Sequence, residues 1–463
     1  MSDWKWEDLL AGCQGTMAGG TFGEVTGFSI DSRTLKPGEV FFAICGENHD
    51  GHTFIPKAIG MGAAAIVASQ WPGEKPADRH PAFIQVGDPL EALQHLARFH
   101  RERHRATFLG ITGSNGKTTT KEMLAHLFAR QSITWATAGN LNNHIGLPLN
   151  LVRMPLNTQT AIIEMGMNHA GEIRFLANIA RPIAAVISNI GPAHIGNLGS
   201  LENIALAKAE ILENLPENGT AVLNGDDPFF HLLKNRTRAR VVRFGTGAGH
   251  DITGTDLQIG PRGIDLNVTW QGSTQPLHLK LLGKHNALNA LAAMGVYLAQ
   301  GGELKHAIER MSSFTPVSAR MEALEVGGIR LILDCYNANP ASMAQAVEYA
   351  RICTGRRVVV LGDMRELGDG GPDLHRELGK KVAEAGLDQL VVVGELAQYI
   401  AEGALQHGMA PAAVHCCRDT TEASRVVYTV INKGDTVLLK ASRGMHFEAI
   451  VKELWPTVKC ELH

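Results

Sequence analysis

Thr112-Gly113-Ser114-Asn115-Gly116-Lys117-Thr118-Thr119 follows the apolar run Phe108-Leu-Gly-Ile and precedes a helical pattern. A strand, a tight glycine-containing loop and a helix start make a cradle for phosphate. Loop amides and the helix N-terminus face the anion, a lysine adds charge, and a threonine hydroxyl can reach Mg²⁺. The strict nucleotide-loop pattern, Gly-x-x-x-x-Gly-Lys-Thr, misses by one residue, because Ile111 stands at its first position and the glycine lies one further back, at Gly110. A glycine-rich turn with a merely solvated lysine is the bland alternative. Against it, glycine, lysine and two threonines coincide at the one place where a phosphate site requires them. The stretch predicts a bound nucleoside triphosphate and leaves the reaction to be read elsewhere.

At 463 residues the chain has room for about three domains. Charged residues make up 19 % and the net charge is −3, with no basic stripe interleaved with aromatics, so no nucleic-acid partner is expected. Seven cysteines (Cys13, Cys45, Cys335, Cys353, Cys416, Cys417 and Cys460) are scattered without a Cys-x-x-Cys pair, as expected of reduced thiols in a cytoplasmic protein. The start Met-Ser-Asp-Trp-Lys-Trp-Glu lacks a long apolar segment behind a basic start, so no signal peptide is expected, and no apolar run approaches the length that membrane spanning needs.

Outward from the loop, hydrophobic patterning predicts strands over 107–112, 161–165, 184–190 and 221–224. Helices are expected over 89–104, from the loop to about 130, and over 201–215 and 286–299. Before this unit, strands at 39–44 and 63–68 flank a helix at 54–61. After it, strands at 330–334, 358–361, 390–393 and 437–440 alternate with helices at 342–350, 374–385 and 421–431. Such alternation with apolar strands implies a parallel sheet covered on both faces, with ligands outside the carboxyl ends of its strands. Those ends carry Asp334-Cys-Tyr-Asn-Ala-Asn, Gly362-Asp-Met and Ala441-Ser-Arg.

Several side chains are placed to carry chemistry. Glu164 closes an apolar strand near the loop, as a Mg²⁺ ligand would, or else is a surface or capping carboxylate. His194 lies in Asn189-Ile-Gly-Pro-Ala-His, just past another strand, and is a ligand or an ordinary loop histidine. Lys208 sits in a helical stretch, where lysines are ordinarily exposed; its small neighbours permit close approach to a site and no more. His285, Asn286 and Asn289 stand at a helix start. The two asparagines share a face and could read a base or ribose edge, unless one of them caps the helix. Arg320 could clamp phosphoryl oxygens and Asp334 could bind ribose hydroxyls, with surface charge as the alternative for each.

In order along nearly the whole chain, these motifs resemble the Mur ligases, whose ATP loop (shared with folylpolyglutamate synthetases) has the form Thr-Gly-x-Asn-Gly-Lys-Thr. They are the loop at 112–119, Glu164-Met-Gly-Met-Asn-His, Asn189-Ile-Gly-Pro-Ala-His, Ala207-Lys-Ala-Glu, Gly283-Lys-His-Asn, Arg320-Met and Asp334-Cys-Tyr-Asn-Ala-Asn-Pro. Within the family, three stretches resemble the branch that joins D-alanyl-D-alanine to UDP-N-acetylmuramoyl-tripeptide (UDP-MurNAc-tripeptide). They are Asn140-Leu-Asn-Asn-His-Ile-Gly-Leu-Pro, Asp334-Cys-Tyr-Asn-Ala-Asn-Pro-Ala-Ser, and Leu361-Gly-Asp-Met-Arg-Glu-Leu-Gly with His375 beyond. The Asp-Asn-Pro-Arg signature of the diaminopimelate-adding branch is absent. Ile30-Asp-Ser-Arg-Thr-Leu-Lys-Pro-Gly and Asn48-His-Asp-Gly-His-Thr-Phe resemble the UDP-sugar domain of the last two Mur ligases. His144 stands where the family more often has an acid, Cys335 where serine is common, and Ala441-Ser-Arg-Gly departs from Gly-Ser-Arg-Ser.

The resemblance implies an α/β protein of three domains. A small N-terminal α/β domain that binds the UDP-substrate would cover 1–88, and a central P-loop ATPase-type parallel sheet 89–314. A C-terminal Rossmann-like domain on the amino-substrate side would cover 315–463. It implies that Gly113, Ser114, Asn115, Gly116, Lys117, Thr118 and Thr119 hold the ATP phosphates, and that Thr118 and Glu164 hold one Mg²⁺. Glu164, His194 and a carbamylated Lys208 would hold a second. His285, Asn286, Asn289 and Asp334 would serve the nucleoside and Arg320 the phosphate end. Ser32, Arg33, Asp50, Asn142, Asn143, Tyr336, Asn337 and Asn339 are its substrate-side candidates. It further implies a cytoplasmic monomer. Addition of diaminopimelate or lysine to UDP-N-acetylmuramoyl-dipeptide is the neighbouring alternative, and an ATP-gated binding protein without ligase activity is the alternative of another class.

Overall fold

A computed structural model describes residues 4–47, 49–71, 81–315 and 318–458. Asn48, Cys460 and the initial Met-Ser-Asp of the sequence reading lie outside them. Among the described residues the strands form three sheets. The first has the order Thr16–Gly19, Ala82–Gln85, Ala65–Ala68, Glu39–Phe42, Gly27–Ser29, parallel except for the Thr16–Gly19 edge. Ala65–Ala68 is buried at every position, as a central strand covered on both faces must be. The helix expected at 54–61 is a 3₁₀ turn, Gly51–Phe54, running into Ile55–Gly60.

The nine-stranded sheet has the order Ser273–Leu279, Gly263–Trp270, Ile252–Gly260, Arg240–Gly245, Thr220–Asn224, Ala184–Ile187, Thr107–Thr112, Thr160–Glu164, Thr134–Ala136. Its first three strands form an antiparallel meander that the sequence reading did not anticipate. The signal was present as alternation: Ile264, Leu266, Val268 and Trp270 are buried, while Asp265, Asn267 and Thr269 are not.

The six-stranded sheet has the order Glu322–Val326, Ile329–Asp334, Thr436–Lys440, Arg357–Gly362, Gln389–Val393, Val414–Cys417. Only the Glu322–Val326 edge is antiparallel. On one face Ile332, Val359, Leu361, Val392 and Leu438 pack with Met343, Val347, Leu378, Val382 and Ile400 of helices Pro340–Ile352, Gly371–Glu384 and Gln398–Gln406. On the other, Leu331, Val358, Val360, Val391 and Leu439 pack with Val427 and Ile450 of helices Thr420–Val430 and Glu448–Leu454. The expected doubly covered sheet is therefore present, and its helices begin where local chemistry starts them: Asn339 caps Pro340–Ile352 through a reciprocal bond pair with Ser342.

The chain divides into two compact units. One comprises Met1–Gly110, Gln131–Met167 and Gly171–Ile183, the other Ile111–Arg130, Asn168–Ala170 and Ala184–His463. No helix among the described residues is long and apolar enough to cross a membrane.

Candidate nucleotide and ligation site

Thr107–Thr112 runs into the glycine loop, and helix Lys117–Phe128 starts behind Gly116. Both loop glycines are required. Gly113 has φ +152°, and a Cβ there would lie 1.9 Å from Ser188 Oγ. Gly116 has φ +79°, and a Cβ would lie 2.2 Å from Asn289 Oδ1. The loop is bonded to the segment after strand Ala184–Ile187. Ser114 N–H donates to Asn189 O (3.0 Å), and the Ser114 hydroxyl donates to Gly191 O and accepts from Gly191 N–H, both at 2.9 Å. Asn115 N–H donates to Asn189 Oδ1 (3.0 Å), and Asn115 O accepts from Ser188 Oγ (2.5 Å) and Asn189 Nδ2 (2.9 Å). Thr119 is buried in the first helical turn. This arrangement fits a polyphosphate, because the first amides of a helix lack intrahelical partners.

Lys117 Nζ folds back to donate to Gly113 O at 2.8 Å. Lys208, on helix Leu201–Glu213, donates to the same carbonyl at 3.1 Å. The sequence favoured an exposed Lys208; it is only 1 % exposed. Burial first, and then the charge of Lys117, hold its amine well below the ordinary lysine range. Among the described residues no three His, Cys, Asp or Glu side chains gather as a ready metal cage.

His194 enters the short helix Ile195–Leu198 with φ +61°, and its Nδ1 lies 2.9 Å from Glu366 Oε2. Glu366 also has positive φ (+64°), and its bond with His194 lowers its carboxyl pKa. Both residues of the contact are thus non-glycine residues in the left-handed region. His194, Asn337, Asn339, Arg365, Ser442 and Arg443 line a cavity of about 220 Å³.

Helix Lys284–Ala299 starts behind Gly283, so neither Asn286 nor Asn289 is its cap. Both are buried on the shared face the spacing predicted: Asn286 Nδ2 donates to Leu282 O (2.8 Å) and Asn289 Nδ2 to Asn286 Oδ1 (3.0 Å). Burial brings the His285 pKa down to about 4. Arg320 is not a surface charge. It lies 3.8 Å over the Tyr336 ring and donates to Thr118 Oγ1 at 2.9 Å, reaching the phosphate loop. Its neighbours Ala319 and Met321 both have positive φ (+55° and +53°). Asn339, besides capping its helix, donates to Asn115 Oδ1 at 2.6 Å. Asp334 closes its strand as expected and accepts from Lys440 Nζ at 2.5 Å. Sequence reasoning missed Lys440 and Glu366. The signal for Lys440 was the one used for Glu164, a charge ending an apolar strand.

In the other unit Glu164 ends Thr160–Glu164 and is 2 % exposed, which removes the surface-carboxylate reading. Its Oε1 accepts from Asn142 Nδ2 (2.8 Å) and its N–H donates to Thr137 Oγ1 (2.9 Å). Asn143 Oδ1 accepts from the N–H of Ile145 (3.2 Å) and Gly146 (2.8 Å), shaping the entry to helix Gly146–Val152. Ser32 is buried. Arg33 is exposed and pairs with Asp31 at 2.7 Å, which lowers the Asp31 pKa. Asp50 Oδ1 accepts from His52 N–H (2.9 Å) and meets His52 Nδ1 at 2.7 Å, so this carboxylate holds its own turn.

Three family models match the chain: "Mur ligase family, catalytic domain" over residues 24–101, "Mur ligase middle domain" over 111–297, and "Mur ligase, glutamate ligase domain" over 319–443. The UDP-N-acetylmuramoyl-tripeptide–D-alanyl-D-alanine ligase of Bacillus subtilis (strain 168) is 38 % identical over 448 residues, 95 % of this chain and 96 % of that protein. The Escherichia coli (strain K12) protein of the same name is 34 % identical, covering 93 % of this chain and 94 % of its own. Among solved structures, MurF from Acinetobacter baumannii superposes with TM-score 0.88 at 31 % identity, over 97 % of this chain and 98 % of that one. MurF ligase from Thermotoga maritima in complex with ADP superposes with TM-score 0.81 at 29 % identity, over 92 % of this chain and 96 % of that one.

Proposed function

The chain belongs to the Mur ligase family, and from that premise we propose that it joins D-alanyl-D-alanine to UDP-N-acetylmuramoyl-tripeptide at the expense of ATP, in peptidoglycan precursor synthesis. It has the three-domain α/β architecture of its relatives; the boundaries at 88 and 314 are part of the proposal. The observation that carries the reading is the meeting of Lys117 and a fully buried Lys208 on the Gly113 carbonyl, inside a loop built for polyphosphate. A carboxylate is a poor electrophile, so ATP phosphorylates it to an acyl phosphate. The dipeptide amine then attacks that carbonyl, and phosphate leaves from the tetrahedral intermediate.

The protein contributes position and charge. The loop amides and Lys117 hold the phosphates, Arg320 reaches the same loop, and Asn286, Asn289, His285 and Asp334 serve the nucleoside. Magnesium would neutralise phosphoryl charge, with Thr118, Glu164, His194 and Lys208 as candidate ligands. Lys208 fits that role as a carbamate: its environment favours the neutral amine that CO₂ attacks, and the product offers hard oxygen donors. Ser32, Arg33, Asp50, Asn142, Asn143, Tyr336, Asn337 and Asn339 remain candidates on the substrate side. We further propose a cytoplasmic monomer whose product supports cell shape and division.

Phosphate release tests the reading. It is expected to require UDP-N-acetylmuramoyl-tripeptide and D-alanyl-D-alanine together. Release with UDP-N-acetylmuramoyl-dipeptide plus diaminopimelate or lysine instead would move the protein to the neighbouring branch. ATP binding without release under any pair would make it a nucleotide-gated binding protein.

A further inference from the structure

Lys440 is a fully buried lysine that the ligation reading does not use. It closes strand Thr436–Lys440, opposite Asp334 on one neighbouring strand and Leu361 on the other. An ammonium has three donors. One goes to Asp334 Oδ2 at 2.5 Å and one to Asn337 O at 3.0 Å. The first ties down the last residue of strand Ile329–Asp334, and the second the loop that leaves it. Two residues further on, Asn339 donates to Asn115 Oδ1 of the phosphate loop at 2.6 Å. On the other side of Lys440 the chain goes directly to Ser442 and Arg443, which line the same cavity as Asn337 and Asn339. Ser442 Oγ accepts from Arg365 N–H at 3.1 Å, which carries the connection to the segment holding Glu366. The charged and titratable groups acting at this point are Asp334 and His285, the latter feeling both Asp334 and Lys440.

We propose that Lys440 is a positioning residue for nucleotide use: it aims the Asp334 carboxylate at the nucleotide sugar and keeps the 335–339 loop in register with the phosphate loop. The inference rests on the reading of Asp334 as a nucleoside contact. A lysine that merely neutralised a buried acid would stabilise the fold without changing which nucleotide is preferred.

Calorimetric titration of the full-length protein with ATP and with 2′-deoxy-ATP, in Mg²⁺, separates these roles. The parent is expected to favour ATP by about tenfold, the scale of one hydrogen bond to a charged group. In Lys440→Met the Kd for ATP rises by about tenfold or more and the preference falls to within about twofold. Lys440→Arg, which restores a charged donor, recovers part of the preference. Melting curves run alongside establish that each variant is folded. Should Lys440→Met not fold, the preference is read in Lys440→Gln, and its loss there supports the inference. A folded Lys440→Met or Lys440→Gln with the parent's preference overturns it, whatever its melting temperature. A parent that binds both nucleotides alike removes the sugar role of Asp334 and the inference with it. The ligation reading is tested apart, by phosphate release.

Discussion

Lys208 and Lys440 lie in the same unit, each 1 % exposed, and the fold treats them in opposite ways. Lys440 has a carboxylate against it at 2.5 Å and a carbonyl at 3.0 Å. Lys208 has the Gly113 carbonyl at 3.1 Å, the positive Lys117 beside it, and no ion pair among the described residues. A buried ammonium without a counter-charge is costly, so burial lowers the pKa of that amine; one set against an acid has its charge compensated. Burial alone therefore says little about what a lysine does. The partner set separates the nitrogen proposed to take part in the chemistry from the one proposed to hold a wall in place.

The strongest way to break this contrast is Lys208→Ala. Losing a group that organises charge at the phosphates should cut turnover on the order of 10³-fold. Short carboxylates such as formate or acetate should restore part of it by filling the gap with oxygen donors. Turnover within about threefold of the parent would leave Lys208 a packing residue, well short of the scale of a charge-stabilising group.

Melting temperatures sharpen the contrast, because the two lysines should answer with opposite signs. Lys440→Met leaves Asp334 without its buried partner and should cost about 3 kcal/mol or more. Lys208→Met, in CO₂-depleted buffer, removes a group that burial disfavours and should gain about 1 kcal/mol while abolishing ligation. The sign follows from linkage. The folded-state pKa of Lys208 lies below the ordinary 10.5, so between those values the unfolded chain holds more protons and parent stability rises with pH. The gain in Lys208→Met should therefore shrink as the pH approaches 10.5. Equal shifts for both variants would erase the distinction.

Gly113→Ala acts on the carbonyl where Lys117 and Lys208 meet. A Cβ 1.9 Å from Ser188 Oγ, at φ +152°, has to displace the loop. A distortion of about 2 kcal/mol would weaken ATP binding roughly 30-fold. Gly199→Ala, also at positive φ (+79°) but with nothing within 4 Å, separates backbone strain from the collision. Similar losses of ATP affinity in both variants would mean that the collision at Gly113 contributes nothing.

What the sequence disclosed, and what it hid, follows the same division between local and distant partners. The strand, glycine loop and helix start were legible because their requirements lie within eight consecutive residues, and the shared face of Asn286 and Asn289 because a helix fixes it. The C-terminal sheet was legible because strands such as Val358–Val360 and Val391–Val393 are apolar on both faces. The meander over 252–279 was missed although its alternation was readable, since polar residues interrupt its strands and leave no continuous apolar run. Helix Gly146–Val152 was hidden by Pro148 in its first turn and by burial on all sides, which removes any amphipathic period. The partners that give residues their roles were not readable. Lys440 is 106 residues from Asp334, and Arg320 is 202 from Thr118. Only the strand order and the turns between elements bring them together.

His285 reports on the Asp334–Lys440 pair. Burial, the main cause, lowers its pKa from 6.5 to about 4; Asp334 pulls it up and Lys440 pushes it down. Between those values the unfolded chain binds the proton and the folded chain does not. Its contribution is therefore fully present above pH 6.5 and is lost as the pH falls toward 4, below which the loss levels off. A shift of this size amounts to about 3 kcal/mol. His285→Gln should flatten the decline in melting temperature across that window and leave the curve above pH 7 unchanged. The sharper measurement is the ring titration itself, by NMR. Lys440→Met should raise the His285 pKa and Asp334→Asn should lower it, each by a fraction of the parent's displacement. Movement in the same direction in both variants would mean that the pair does not act on this ring as two opposed charges, and the strut assigned to Lys440 would lose its electrostatic signature.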